Sequence, residues 1–258
     1  MGKYYGMSES TKSPRDSRLS PLFEEDAEVV SRACLELVPV VFDDPELELE
    51  MIEILRRNLD QQAGFSTGDL CVALLLGEIR SAFATSAIIR CLLDEDEMLQ
   101  RISIRSLQRI GGPAFDEILD LLDDPDLDGE ASAMAIESLE GIALHDLPQQ
   151  RECIEDRLRI DLVNRTLPIE RREAAALALA RLGVNEALET VGLVLEKEFP
   201  NGNVFISEAQ ELMTEYPSGL PTHAEDPIEQ AVRWLSDEVL PGGELDHSII
   251  PQDEPDDH

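Results

Sequence analysis

Cys71-Val72-Ala73-Leu74-Leu75-Leu76-Gly77-Glu78-Ile79 recurs in altered form three times along the chain. The later copies are Ser103-Ile104-Arg105-Ser106-Leu107-Gln108-Arg109-Ile110-Gly111, Ala135-Ile136-Glu137-Ser138-Leu139-Glu140-Gly141-Ile142 and Ala175-Ala176-Leu177-Ala178-Leu179-Ala180-Arg181-Leu182-Gly183. Aligned on Leu76, Leu107, Leu139 and Leu179, with a weaker copy at Leu212, the intervals are 31, 32, 40 and 33 residues. A fixed period of this length is the signature of a repeat architecture. Four residues before the anchor leucine stands Ser103, Ala135 or Ala175, with Val72 the larger exception. Three residues after it stands Ile79, Ile110, Ile142 or Leu182. A small side chain lets a paired helix come close, and two apolar side chains one turn apart form the ridge that packs on it.

Working outward, each copy follows a second apolar segment that ends in an acidic turn. Ile88-Ile89-Arg90-Cys91-Leu92-Leu93 precedes Asp94 to Glu97, and Ile118-Leu119-Asp120-Leu121-Leu122 precedes Asp123 to Asp126. The unit is a helical hairpin of about 30 residues, of the kind that stacks into a solenoid. Elsewhere the spacing is also helical, as in Val29, Ala33, Leu37, Val40 and in Ile52, Leu55, Leu59. Breakers fall between the periodic segments, as in Gly111-Gly112-Pro113 and Pro200-Asn201-Gly202. These patterns predict an all-α fold.

The pattern of a leucine-rich helix, an acidic turn and a helix with Ala or Ser four before Leu resembles the HEAT repeat family, in the short variety shared with the phycobilisome-lyase-like group. The resemblance spans residues 46–215 and is strongest at 82–111 and 169–183, where Arg172 holds the family's arginine at the start of the second helix. Asp69, Gln100 and Ser132 hold that position in the other copies. The resemblance implies an α-solenoid of about five HEAT-like hairpins, at 46–80, 82–111, 114–143, 150–183 and 186–215, with capping helices at 23–41 and 228–240. The expected domains are an N-terminal disordered arm (1–22), the solenoid (23–240) and a disordered acidic tail (241–258).

The chain has 258 residues with 55 Asp and Glu against 21 Lys and Arg, a formal charge of −34. That charge excludes nucleic acid and anionic membranes as default partners. With no apolar run long enough to span a bilayer and a polar start, a cytoplasmic location is expected. Eighteen of the basic residues are arginine, and the acidic excess is also what a surface adapted to high salt carries. Cys34, Cys71, Cys91 and Cys153 form no CxxC pair and sit among apolar neighbours, so all four read as buried structural thiols.

Chemistry-bearing motifs are few. Asp124, Asp126 and Asp128 form a D-x-D-x-D-G run that fits the first half of a calcium loop, but the twelfth position is Ala135, so helix capping explains the run better and the three residues remain a weak calcium candidate. His145 lies eight residues before Cys153, a spacing at which a loop-capping histidine is a simpler reading than a nucleophile pair. An iron-binding enzyme among related repeats uses His-Glu pairs; the chain has no His-Glu dipeptide, and that activity is not carried over. No catalytic residue, resident metal or cofactor is expected. Between residues 151 and 181, seven arginines (Arg151, Arg157, Arg159, Arg165, Arg171, Arg172 and Arg181) face six carboxylates. Two readings follow: a docking surface for an acidic partner at Arg157, Arg159, Arg165, Arg172 and His145, or pairing with neighbouring carboxylates. The 40-residue interval just before it predicts a loop over 144–150. Together these observations predict a non-catalytic scaffold or adaptor that holds a protein or peptide through its groove, an acidic one where the arginines do the docking. The alternative is an enzyme or enzyme accessory of the lyase-like or metal-dependent repeat group.

Overall fold

The computed structural model describes residues 14–61, 64–145 and 148–220. Eleven α-helices lie among them: α1 (Ala27–Phe42), α2 (Pro45–Gln61), α3 (Thr67–Glu78), α4 (Thr85–Leu92), α5 (Glu97–Ile110), α6 (Gly112–Leu122), α7 (Gly129–His145), α8 (Pro148–Val163), α9 (Ile169–Arg181), α10 (Leu188–Glu198) and α11 (Val204–Glu215). The described residues contain no strand. From α2 onward the helices pair as five hairpins, α2 with α3 through α10 with α11, each within a few residues of its expected span.

Two rows result. The second helices α3, α5, α7, α9 and α11 pack in succession, and α1 joins that row beside α3. The first helices α2, α4, α6, α8 and α10 form the other row, with α6 and α8 meeting less closely than the rest. The anchor residues Leu76, Leu107, Leu139 and Leu179 are fully buried, as are Ser103, Ala135 and Ala175 one turn earlier. Close approach is visible at Gly77, where a Cβ would stand 2.6 Å from the Cα of Ser106; Ser106 Oγ donates to the Ala73 carbonyl at 2.9 Å. Acidic turns start the helices they precede. Asp96 accepts from the amides of Met98 and Leu99 at the start of α5, and Ser66 and Asp69 close a reciprocal capping box at the start of α3.

The structure corrects three expectations. The arm expected over 1–22 does not extend to residue 22: residues 20–23 form a 3-10 turn, and Leu19 and Leu22 are fully buried against the helical core. The physical reason is apolar: both leucines join the helical core, and the turn lies against α3 at Gly68, where a Cβ would clash with the Leu22 carbonyl and the Phe23 ring. Residues 1–13 lie outside the described residues. The extra length of the 40-residue interval does not form a loop over 144–150. It lengthens helices instead, with α7 running to His145 and α8 starting at Pro148, a residue suited to the first helical position. Cys34, Cys71 and Cys91 are buried, but Cys153 is exposed, because Ile154, Leu158 and Leu162 carry the buried stripe of α8 and Cys153 stands off it. The cap expected at 228–240 and the tail at 241–258 lie outside the described residues. No helix among the described residues is long and apolar enough to cross a membrane.

Candidate functional site

The arginines expected to form a docking surface are held by their own chain. Arg171 and Asp161 are both buried and pair at 2.8 Å, and Arg171 also donates to the Leu122 carbonyl at 2.6 Å. Arg157 contacts Asp123 at 2.8 Å and Asp161 at 3.0 Å. These bonds bridge the end of α6 to the fourth hairpin, where the first-helix row packs least closely. Arg172 is buried, donates to the Leu162 carbonyl at 3.0 Å, pairs with Glu198 at 2.7 Å and lies over the Phe199 ring at 5.9 Å. Arg159 pairs with Glu155 and Asp156, and the exposed Arg165 pairs with Glu198 at 3.0 Å. The two guanidiniums hold the Glu198 carboxyl below the usual carboxylate range, against the raising effect of its desolvation. Arg172, buried at the hairpin junction, is therefore not presented on a docking surface. His145 closes α7, and its side chain lies outside the described residues.

The D-x-D-x-D-G run is spent on backbone. Asp124 accepts from the amide of Asp126 at 2.9 Å, and Asp128 accepts from that of Ala131 at 2.8 Å, the geometry of a helix N-cap at the start of α7. Among the described residues no three His, Cys, Asp or Glu side chains stand where they could share a metal ion.

One open feature of the second-helix row is a groove of about 530 Å³ between α7, α9 and α11. Helical spacing places it. On α7, Glu130, Met134 and Glu137 recur on one face, and on α9 Glu170, Glu173, Ala174, Leu177 and Arg181 do the same. Ala133, Met134, Ala174 and Leu177 are half-buried and form an apolar floor, and Phe205 at the start of α11, 49% exposed, stands at its edge. Glu130, Glu137 and Glu170 are exposed on the rim, and Glu173 accepts a bond from Asn203 at 2.5 Å. Glu140 lies buried at one end with Arg181 3.3 Å away. Burial pushes the Glu140 carboxyl up to about 7; Arg181 opposes the rise and Glu137 adds to it. A second cleft of about 550 Å³, walled by the acidic turns before α5 and α7, shares Glu130 and Met134 with the groove and so adjoins it.

The sequence reading missed this groove. Its signal was present as Glu130 with Glu137 and Glu170 with Glu173 at helical spacing beside Met134 and Leu177. Pooling the charges of residues 151–181 hid the fact that, Arg181 apart, the arginines and these glutamates lie on different faces.

No family model matches the chain, and no curated protein matches it. Among solved structures, an engineered protein is similar at 18% identity and a TM-score of 0.33, over 80% of this chain and 98% of its own. The complex of CpcE and CpcF of phycocyanin lyase from Nostoc sp. PCC7120 is similar at 15% identity and a TM-score of 0.34, over 93% of this chain and the whole of its own. Likeness at this level carries no functional argument. The helix pairs and two rows described above define the class: an all-helical repeat protein, an α-solenoid of stacked helical hairpins.

Proposed function

We propose that the chain is a non-catalytic helical-repeat scaffold that seats a partner protein or peptide in the groove between α7, α9 and α11. The observation that supports this is the floor of Met134, Ala174 and Leu177, left half-buried where α7 and α9 pack side by side, with Phe205 exposed beside it. Exposed apolar surface rimmed by polar groups is the ordinary character of a protein interface. The seat thus moves from the arginines, which serve their own carboxylates, to the opposite face of the fourth hairpin's second helix.

A photo-crosslinking phenylalanine analogue tests the assignment. Placed at Phe205 it lines the groove; placed at Phe83, 73% exposed beside the first-helix row, it provides the control. In extract from the native cells, coupling to one protein from position 205 and not from position 83 is the expected result. Equal coupling at both positions, or none at 205, overturns the reading.

A further inference from the structure

We propose that the occupant of the groove is a cationic amphipathic segment of the partner protein, with apolar side chains on the Met134, Leu177 and Phe205 floor and Lys or Arg facing the glutamate rim. This rests on the groove being the seat. Five carboxylates line the groove against one guanidinium, that of Arg181, which is committed to Glu140. An acidic occupant would meet that rim with unpaired like charge, which is costly at an interface.

Helix termini explain only part of the acidity. In the adjoining cleft Asp124 and Asp128 satisfy backbone amides, and Glu130 and Glu170 stand in the first turns of α7 and α9, where the dipole favours them. Glu137, Glu140 and Glu173 lie beyond the first turn, where no such gain exists. The apolar floor distinguishes a protein segment from a small polycation, which needs only the carboxylates. The second cleft, adjoining the groove at Glu130 and Met134, suits an elongated occupant more than a compact one.

Because the whole chain carries −34, any cationic probe feels its field, and the test compares variants of equal net charge. The probe is a labelled lysine-leucine peptide of about 18 residues, roughly 27 Å long as a helix, titrated into the full chain at about 0.15 M salt. Glu137→Lys with Glu170→Lys reverses the rim. Glu189→Lys with Glu196→Lys makes the same charge change on exposed positions of α10 and likewise alters one first-turn residue. The rim pair is expected to weaken binding about tenfold or more and the α10 pair less than about twofold. Phe205→Ser is expected to weaken the peptide by about threefold and to leave spermine binding unchanged. Equal weakening by the two charge pairs would reduce the attraction to the diffuse field and overturn the proposal. Indifference of the peptide to Phe205→Ser would favour a small polycation and overturn it too. Tighter binding of a glutamate-leucine peptide would overturn the charge class while coupling at position 205 left the groove reading standing. Silence at position 205 would remove the groove itself.

Discussion

The α2–α3 and α8–α9 hairpins occupy equivalent places in the repeat, yet they are held together by different means. In α3 every residue from Gly68 to Gly77 is buried, with α1, α2 and α5 packed around it. Aligned on the anchor leucines, Leu70, Cys71 and Leu74 of α3 correspond to Glu173, Ala174 and Leu177 of α9. The first three are buried; the second three are half-buried and line the groove. The fourth hairpin is laced by buried guanidiniums, Arg171 on Asp161 and on the Leu122 carbonyl of the third hairpin and Arg172 on the Leu162 carbonyl, where the first has hydrocarbon and the buried Asn58–Asp69 bond. One scaffold thus carries a face closed by packing near one end and a face left open further along. The open face, and not the densest cluster of charge, is where a partner has room.

The largest expected effect comes from writing the open face into the closed one. Leu74→Glu buries a carboxylate inside the packed row and should cost on the order of 4 kcal/mol or more. Leu177→Glu, at the same register in α9, should cost only about 1 kcal/mol because the groove admits water. Chemical denaturation of both variants gives the comparison, and similar losses would mean that the two faces are equally enclosed. Next in size is Arg171→Met, which leaves buried Asp161 with Arg157 alone and should cost about 3 kcal/mol. Adding Asp161→Leu should recover most of that loss. Arg90→Ala, which removes an exposed pair with Asp60, should change stability by less than about 1 kcal/mol. If Arg171→Met behaves like Arg90→Ala, the arginines are not what holds the fourth hairpin.

Much of this was legible in the sequence. Repeat phase and hairpin limits follow from side-chain spacing of three and four residues, a local property that survives folding unchanged. Leu107 and Leu139 are therefore found where their intervals place them. Pairing is not local. Arg171 bonds a carbonyl 49 residues away, and Arg172 a glutamate 26 residues on, so no reading of neighbours along the chain could separate docking arginines from structural ones. Cys153 misled because Cys is so often buried; the i+4 stripe of Ile154, Leu158 and Leu162 beside it carried better information. The groove needed the faces of α7 and α9 to be considered together, which requires knowing that they are neighbours.

Glu140 sharpens the comparison through pH. Its counterpart in α3 is Gly77, which lets α5 touch the backbone; α7 instead places a carboxyl there, buried and raised to about 7. The folded chain then holds the Glu140 proton more tightly than the unfolded chain does. Its stabilising contribution is complete below the unfolded value near 4.5 and is lost as pH rises through about 7. Glu140→Gln should therefore match the parent near pH 4 and exceed its stability by about 2 kcal/mol at pH 8. Melting curves across that range check it, and a constant difference at every pH would mean that Glu140 is ordinarily exposed to water.

A small expected effect separates two ways of starting a second helix. At α3, Asp69 is buried, accepts from Asn58 at 2.7 Å and from Ser66, and has its carboxyl pushed up by burial despite those bonds. At α7, Asp128 is exposed and its side chain accepts from the Ala131 amide. Its role is then the capping bond, and Asp128→Ala should cost about 1 kcal/mol. Asp128→Asn should cost less, because an amide oxygen caps nearly as well as a carboxylate oxygen. A calcium ligand would behave in the opposite way, since the loss of charge in Asn would weaken ion binding while leaving the cap. Calorimetric titration of the parent with calcium should show no micromolar site, and about 1 mM calcium should leave the melting temperatures of parent, Ala and Asn variants in the same order. A calcium-dependent rise in the parent that Asp128→Asn abolishes would make the acidic turn a cation site, and the contrast between the two helix starts would then be one of ligand against cap.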